Sequence, residues 1–422
     1  MVPSDPPAAE GRFARLLRLQ GISRPIAWGF VALAVFMVGD GIETGFLSPY
    51  LDAVGFSRGD VATLRAAYGV VVATAAWLSG ALAEAWGPRR VVLVGFGIWC
   101  ASETVFLGAG LVQRNFTVML IAFAVRGLGH AMFAYGFLVW VTMGTPAAMM
   151  GRAVGWYWFF SALGHGVIGS YLAGAAIPLI GELATLWLSP AFVGVGGLMI
   201  LFLLRDPQAA PVTVGGSLRG LVSGVAVVGS HPRVGLGGIV RLINTLSFYA
   251  FVVFLTTYMV RDVGFGTAQW QVVWGTMSAA NVAANLLSGY LADWLGRVRV
   301  VAWAGGVGCF ATVLGLYYVP TLLGPRLGPT VAVAVLYGLA LGMFVPLSAI
   351  VPLLAPGHRA AAVAVLNLGA GLSQFLGPVV AGLVTPIGIE ATVWIIAALY
   401  LVGFGLTFAL RTTGTGSRDP EA

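Results

Sequence analysis

Five ionisable residues stand out deep within long apolar runs: Asp40, Glu43, Glu103, Arg126 and Arg241. Charge in an apolar membrane segment is costly, so such residues normally face a cavity or an opposite charge. Asp40 and Glu43 are three residues apart, which puts both on one face of a helix. Asp40 lies about 14 residues from the start of its run, roughly 20 Å at 1.5 Å per residue. Arg126 enters its run from the opposite end by about ten residues, some 15 Å by the same rise. Those depths bring both near the middle of a bilayer. A carboxylate there is pulled two ways, because desolvation favours its neutral form and a nearby guanidinium its charged form. If its surroundings alternate, such a group can take a proton on one side and release it on the other. The competing reading is a static buried ion pair that fixes helix packing.

The runs that carry these residues define the class of protein. Of the 422 residues, 59% are hydrophobic and 9% charged, with a mean hydropathy of +0.94. An ordinary soluble domain is about 25% charged. A large soluble globule, a disordered chain and a disulfide scaffold are therefore excluded. A spanning helix needs roughly 20 apolar residues. Twelve such runs are expected at 26–51, 61–86, 91–112, 116–144, 153–178, 183–204, 234–260, 268–292, 299–320, 328–354, 360–385 and 390–410. They are long and mostly not alternating, so an all-α membrane protein fits and an outer-membrane barrel does not. Pro49, Pro346, Pro352 and Pro378 are expected kink points.

The net charge of +7 comes from 22 basic residues, all of them Arg. With the N-terminus inside, 15 fall on the cytoplasmic side, among them Arg89, Arg90, Arg152, Arg297 and Arg299. Five fall outside: Arg58, Arg65, Arg114, Arg261 and Arg326. This bias is the positive-inside rule, which places both termini in the cytoplasm and gives no support to nucleic-acid binding. Cys100 and Cys309 both sit in apolar runs and are expected as buried free thiols. Residues 1–25 are expected to form a retained cytoplasmic tail and 411–422 a second one.

The polar, Pro- and Gly-containing break at 205–233 splits the chain into six-helix halves, 26–204 and 234–410, and is expected to be a cytoplasmic linker with a short interfacial helix over 217–229. The halves repeat. GALAEAWGPRR at 80–90 recurs 209 positions later as GYLADWLGRVR at 289–299, and Gly97/Gly306 and Cys100/Cys309 keep that offset. Parallel six-helix repeats are one transporter architecture. The repeated segment resembles the loop signature of the major facilitator superfamily, Gly-x-x-x-Asp-x-x-Gly-Arg-x-Arg or Lys. The second copy matches through Gly289, Asp293, Gly296, Arg297 and Arg299. The first, through Gly80, Gly87, Arg89 and Arg90, departs from it with Glu84 in place of Asp and Pro88 at the first basic position. A carboxylate there can hold a neighbouring helix end or Arg in one conformation, a gating role. The alternative is a tight, positive-inside turn.

Five longer strings carry a narrower resemblance. VGDGIETGFLSPYL at 38–51, RGLGHAMFAYGFLVW at 126–140, AVGWYWF at 153–159, VRLINTLSFYAFVVFL at 240–255 and AAVAVLNLGAGLSQFLGPVVAGL at 361–383 are similar to bacterial sugar-alcohol permeases of that superfamily, the ribitol- and arabitol-type proton symporters. The resemblance implies polyol uptake coupled to protons by alternating access. It also implies that helices 1, 4, 7 and 10 surround a central cavity, where Asp40 and Arg126 would meet. Arg126 further resembles the helix-4 Arg of an RxxxG-type motif, although here the glycines crowd closer at Gly127 and Gly129. Glu103, on peripheral helix 3, is expected to pack between helices.

An uncharged polyol would need paired hydrogen-bond donors and acceptors and flat aromatic faces. The candidates are Tyr135, His130, His165, Arg241, Asn244, Asn281, Asn285, Asn367 and Gln374. Asn281 and Asn285 share one helix face, and His165 and Gln374 are related by the repeat offset. Each could equally be helix–helix glue. Trp156 and Trp158 read as aromatic-belt residues. There is no HExxH, no P-loop lysine and no GxSxG, so no enzyme, metal or cofactor is expected. The expected partners are a small solute, protons and the lipid of an inner membrane, around a monomer. Two rivals share the fold. Drug exporters of the superfamily carry Gly-Pro in helix 5, whereas GWYWFFSALGHGVIGSYLAG at 155–174 has no Pro. A carrier of small organic anions would clamp its substrate with Arg126 and Arg241, with Asp40 and Glu43 opposing a strongly positive cavity.

Overall fold

The structure, a computed structural model, describes residues 19–20, 22, 26–146, 149–204 and 227–411. Nearly all of the expected N-terminal tail, the linker from 205 to 226 and the expected C-terminal tail from 412 lie outside the described residues. The described chain is helical and supplies twelve long helices. In the first half these are α1 (Ala27–Ala53), α2 (Arg58–Trp86), α3 (Pro88–Leu111), α4 (Phe116–Met143), α5 (Met150–Ile180) and α6 (Glu182–Leu203). In the second they are α7 (Pro232–Val253, running on through short segments to Asp262), α8 (Thr267–Leu295), α9 (Arg297–Leu323), α10 (Leu327–Leu354), α11 (Arg359–Val384) and α12 (Ile389–Phe408). These are the expected runs, with ends displaced by a few residues.

Ten of the twelve are apolar enough to cross a membrane on composition alone. The other two, α2 and α8, are the 29-residue helices that carry the repeated loop signature at their ends. Their polar residues have a reason, since α2 packs along α11 and α8 along α5, in the seam between the halves. Arg65, Tyr68 and Gln271 lie in that seam.

Local signals set the helix ends. Ser57 and Asp60 form a reciprocal capping box that starts α2, with Ser57 Oγ accepting from the Asp60 amide at 3.0 Å. Asn115 caps α4 by accepting from the Val118 amide at 3.2 Å. Gly87 and Gly296, equivalent in the two repeats, turn the chain at φ of +88° and +91°, a region open to glycine. Pro49 and Pro346 act as expected. Each lacks an amide hydrogen and crowds the carbonyl four residues earlier, and α1 and α10 break into turns at 43–46 and 343–346. Pro352 lies in the short 3₁₀ turn Val351–Leu354 that ends α10. Pro378 differs, because α11 continues through it.

Glycines let the inner helices meet backbone to backbone. A methyl group at Gly41 would lie 2.0 Å from the His165 carbonyl oxygen, and one at Gly69 would lie 2.4 Å from that of Gln374. Both neighbours are main-chain atoms of a packed helix and cannot swing aside. We predict that Gly41→Ala forces α1 from α5 and costs about 1–3 kcal/mol or more. A melting temperature equal to wild type in detergent would show that this seam has slack.

Candidate functional site

Asp40 is 3% exposed near the end of the first segment of α1. Its Oδ1 accepts from the indole N–H of Trp99 on α3 at 2.8 Å. Its Oδ2 lies 3.0 Å from Nδ1 of His130 on α4 and 3.3 Å from Nδ1 of His165 on α5. Those two contacts have ion-pair distance without hydrogen-bond alignment. His165 sits in a π-helical turn, Leu163–Ile168, whose extra residue breaks the regular register of α5 beside the cavity. Its Nε2 reaches the hydroxyl of Thr44 at 3.3 Å. The carboxylate therefore has two imidazoles beside it and, among the described residues, no guanidinium within salt-bridge distance.

The expected meeting of Asp40 with Arg126 is not what the side chains do. Arg126, 2% exposed, donates through Nη2 to Glu43 Oε1 at 2.5 Å and through Nη1 to Glu103 Oε2 at 2.6 Å. Its guanidinium carbon lies 4.2 Å from the centroid of the Phe123 ring. Glu43 takes this place because it lies three residues beyond Asp40, almost one helical turn deeper toward the same face. Glu103, expected to pack between helices, is fully buried and closes the charge cluster from α3. Arg65, expected outside the membrane, also belongs here. It lies seven residues into α2, with a side chain 12% exposed and Nη1 3.8 Å from Glu43 Oε1. The run is as expected, but α2 starts at Arg58 and not at residue 61, which carries Arg65 deeper than the expected run does.

These side chains face a central cavity of about 60 Å³, lined by Asp40, Glu43, Thr44, Arg65, Tyr68, Arg126 and His165 from the first half and Phe248, Tyr249, Val252, Gln374 and Pro378 from the second. That is far below the ~300 Å³ at the small end of ligand clefts, so the cavity is a narrow one. The repeat makes its asymmetry plain. The position equivalent to Asp40 is Tyr249, that of His165 is Gln374, and that of Arg65 is Trp274. The acidic and basic side chains of the cavity come from one half, whereas the other contributes aromatic rings, a hydroxyl and an amide.

Of the remaining candidates, Tyr135 is partly buried and packs on the first half's core. Arg241 donates to Asn244 Oδ1 at 2.9 Å, and Asn244 donates to the Leu341 carbonyl at 3.2 Å, tying α7 to α10. Asn281 likewise donates to the Gly338 carbonyl at 3.3 Å, between α8 and α10. Asn285 and Asn367 are exposed and do not line the cavity. Trp156 donates to Gln20 at 3.2 Å, close to the terminus face. A network that sequence reading missed lies behind the cavity: Ser247 contacts the hydroxyls of Tyr337, at 2.6 Å, and Tyr400.

The loop signature falls on the face that carries the termini. Arg89 closes the end of α6, donating to the carbonyls of Leu204 at 3.0 Å and Leu201 at 2.7 Å. Asp293, 74% exposed, lies 3.7 Å from Arg297 within its own loop. The side chains of Gly80 and Glu84 lie outside those described. Across the molecule, on the far face, ion pairs join the halves: Arg58 to Asp262 at 2.8 Å and Arg261 to Asp52 at 3.2 Å. Ser48 to the Val252 carbonyl at 2.5 Å and Thr267 to Glu182 at 2.6 Å add to that seam.

Twelve helices in two repeats around a polar central cavity form the architecture of a membrane carrier. The Major Facilitator Superfamily model matches residues 29–234 and 237–422, and the chain belongs to that superfamily. It is 39% identical over 390 residues to the alpha-ketoglutarate permease of Bacillus subtilis (strain 168), covering 92% of this chain and 89% of that one. It is 35% identical over 409 residues to the D-arabinitol transporter of Klebsiella pneumoniae, covering 95% and 96%. The crystal structure of the nucleoside transporter NupG superposes with a TM-score of 0.69 at 15% identity, covering 93% of this chain and 98% of that one, a likeness of fold. The chain is thus a multi-pass membrane transporter for a small molecule, and not an enzyme.

Proposed function

We propose that the protein carries a sugar alcohol inward across the inner membrane together with a proton, by alternating access between its two faces. The observation that carries this reading is Asp40. The other two buried carboxylates, Glu43 and Glu103, are bound by Arg126, whereas Asp40 has only an indole and two imidazoles. It is the carboxylate of the cluster that no described guanidinium pairs, so it can take or release a proton without breaking an arginine contact. Three carboxylates and two guanidiniums line or adjoin the cavity. A neutral solute leaves that balance alone and a dianion shifts it further negative. Tyr249, Gln374, Thr44 and His165 offer the hydroxyl, amide and imidazole groups that a polyol's hydroxyls can pair with.

In this reading the terminus face is cytoplasmic, the loop signature at Glu84 and Asp293 gates that face, and the transporter acts as a monomer. A carboxylic-acid solute is the second reading, favoured by the 39% identity to an alpha-ketoglutarate permease. The test is uptake of labelled D-arabinitol, ribitol, glucose and alpha-ketoglutarate into proteoliposomes, with and without an inward proton gradient. Accumulation of a polyol above equilibrium only with the gradient is the expected result. Gradient-driven uptake of alpha-ketoglutarate alone would replace the first reading by the second.

A further inference from the structure

Arg65 is the polar group in the cavity with the most unused binding capacity. A guanidinium carries five N–H donors in a fixed planar fork. In Arg65 the Nε and Nη2 atoms are buried and have no hydrogen-bond partner. The remaining nitrogen, Nη1, faces Glu43 Oε1 from 3.8 Å, too far for a hydrogen bond. The guanidinium carbon lies 5.3 Å from the centroid of Phe123, so an aromatic ring supports the group from α4. Backbone contact one turn further along fixes its height: Gly69 on α2 lies against the Gln374 carbonyl on α11. Arg65 is thus held in the seam, lining the cavity opposite Tyr249 and Gln374 of the other half.

The two unpartnered nitrogens are not scattered. Nε–H and the nearer Nη2–H project side by side from one edge of the guanidinium, the geometry that takes two oxygens at once. Buried donors of this kind are normally satisfied, and leaving them empty is costly. We infer that Arg65 is the solute anchor of this transporter: its Nε–Nη2 edge receives two neighbouring oxygens of the transported molecule, either those of a carboxylate or those of a vicinal diol. This rests on the reading of the central cavity as the transport site. Glu43 keeps the opposite side of the same guanidinium, so solute binding and the carboxylate cluster share one charged group. An anchor on α2 facing α11 also lies across the seam, where a bound solute draws the halves together.

The experiment compares wild type, Arg65→Gln and Arg65→Lys in proteoliposomes, with counterflow of labelled D-arabinitol and of labelled alpha-ketoglutarate as probes. Arg65→Lys keeps the positive charge opposite Glu43 and so guards against loss of folding, which melting of each purified variant checks. With Gln, the KM for the probe that wild type carries rises on the order of 30-fold, the scale of losing paired charge-assisted hydrogen bonds. Lys separates the two sources. Its ammonium still attracts a carboxylate, so a carboxylate probe recovers much of its affinity, but it cannot reproduce the fork for a diol, so a polyol probe does not. A folded Arg65→Gln variant with the wild-type KM overturns the anchor and leaves the transport reading standing, as does an Arg65→Lys variant equal to wild type for both probes. If folded wild type carries neither probe, the transport reading and the anchor fall together.

Discussion

Asp40→Asn is expected to give a transporter that exchanges labelled for unlabelled solute but no longer concentrates it. The argument is one of shape against charge. Asparagine fills the same volume, and its side-chain oxygen can still accept from Trp99, whose indole N–H lies 2.8 Å from the present Oδ1. The amide nitrogen then stands where Oδ2 now faces the imidazoles at 3.0 and 3.3 Å, and it can donate to a neutral ring. Packing and solute contacts are therefore retained, while the group able to bind and release a proton is lost. The measurement is accumulation under an inward proton gradient, which should fall to the equilibrium level, beside counterflow, which should persist. Wild-type accumulation in this variant would move the coupling site away from Asp40 and onto Glu43 or Glu103.

Arg126→Leu is expected to be the most damaging single change in the protein. It leaves Glu43 and Glu103, both buried, without the guanidinium that now binds each at 2.5 and 2.6 Å. Removing one partner of a buried ion cluster costs about 3–5 kcal/mol, a large share of a membrane protein's margin. The ring contact with Phe123 at 4.2 Å is lost as well. Purified yield and the melting temperature in detergent read the effect. Adding Glu43→Gln and Glu103→Gln to the same chain removes the orphaned charges and should restore much of the stability without restoring proton-driven uptake. A single variant as stable as wild type would show that water or rearrangement already compensates the cluster.

How much of this was written in the sequence depends on which physical signal a residue leaves. The twelve spans were legible because apolar length is a direct consequence of the bilayer's thickness. The breaks at Pro49 and Pro346 were legible because proline removes a hydrogen bond wherever it occurs, and Pro378 shows that the rule sets a tendency only. Burial of charge at Asp40, Glu43 and Arg126 was legible from the runs they interrupt. The pairing among them was not. Asp40 and Glu43 share a face and differ by less than one turn, and which of them meets Arg126 is decided by helix rotation and tilt, to which hydropathy is blind. Arg65 escaped because a run starting at 61 puts it only four residues in, near the outer surface, although the capping box at Ser57 and Asp60 marks the true start. His130 and His165 could be named as polar, but only the fold brings both to one carboxylate oxygen.

The ion pairs on the far face have a consequence for how the carrier responds to its surroundings. Arg58–Asp262 and Arg261–Asp52 are partly exposed, and pairs of that kind contribute about 0–1 kcal/mol each. Together they favour contact between the halves at that face by a factor of ten or so, and dissolved ions weaken them over the ~8 Å screening length of physiological solution. Asp52 and Arg261 occupy equivalent positions in the two repeats, so one repeat supplies the acid and the other the base of the same clasp. The strength of that clasp is therefore set in part by the salinity of the solution at that face, and the hold of one half on the other becomes a property of the medium as well as of the sequence.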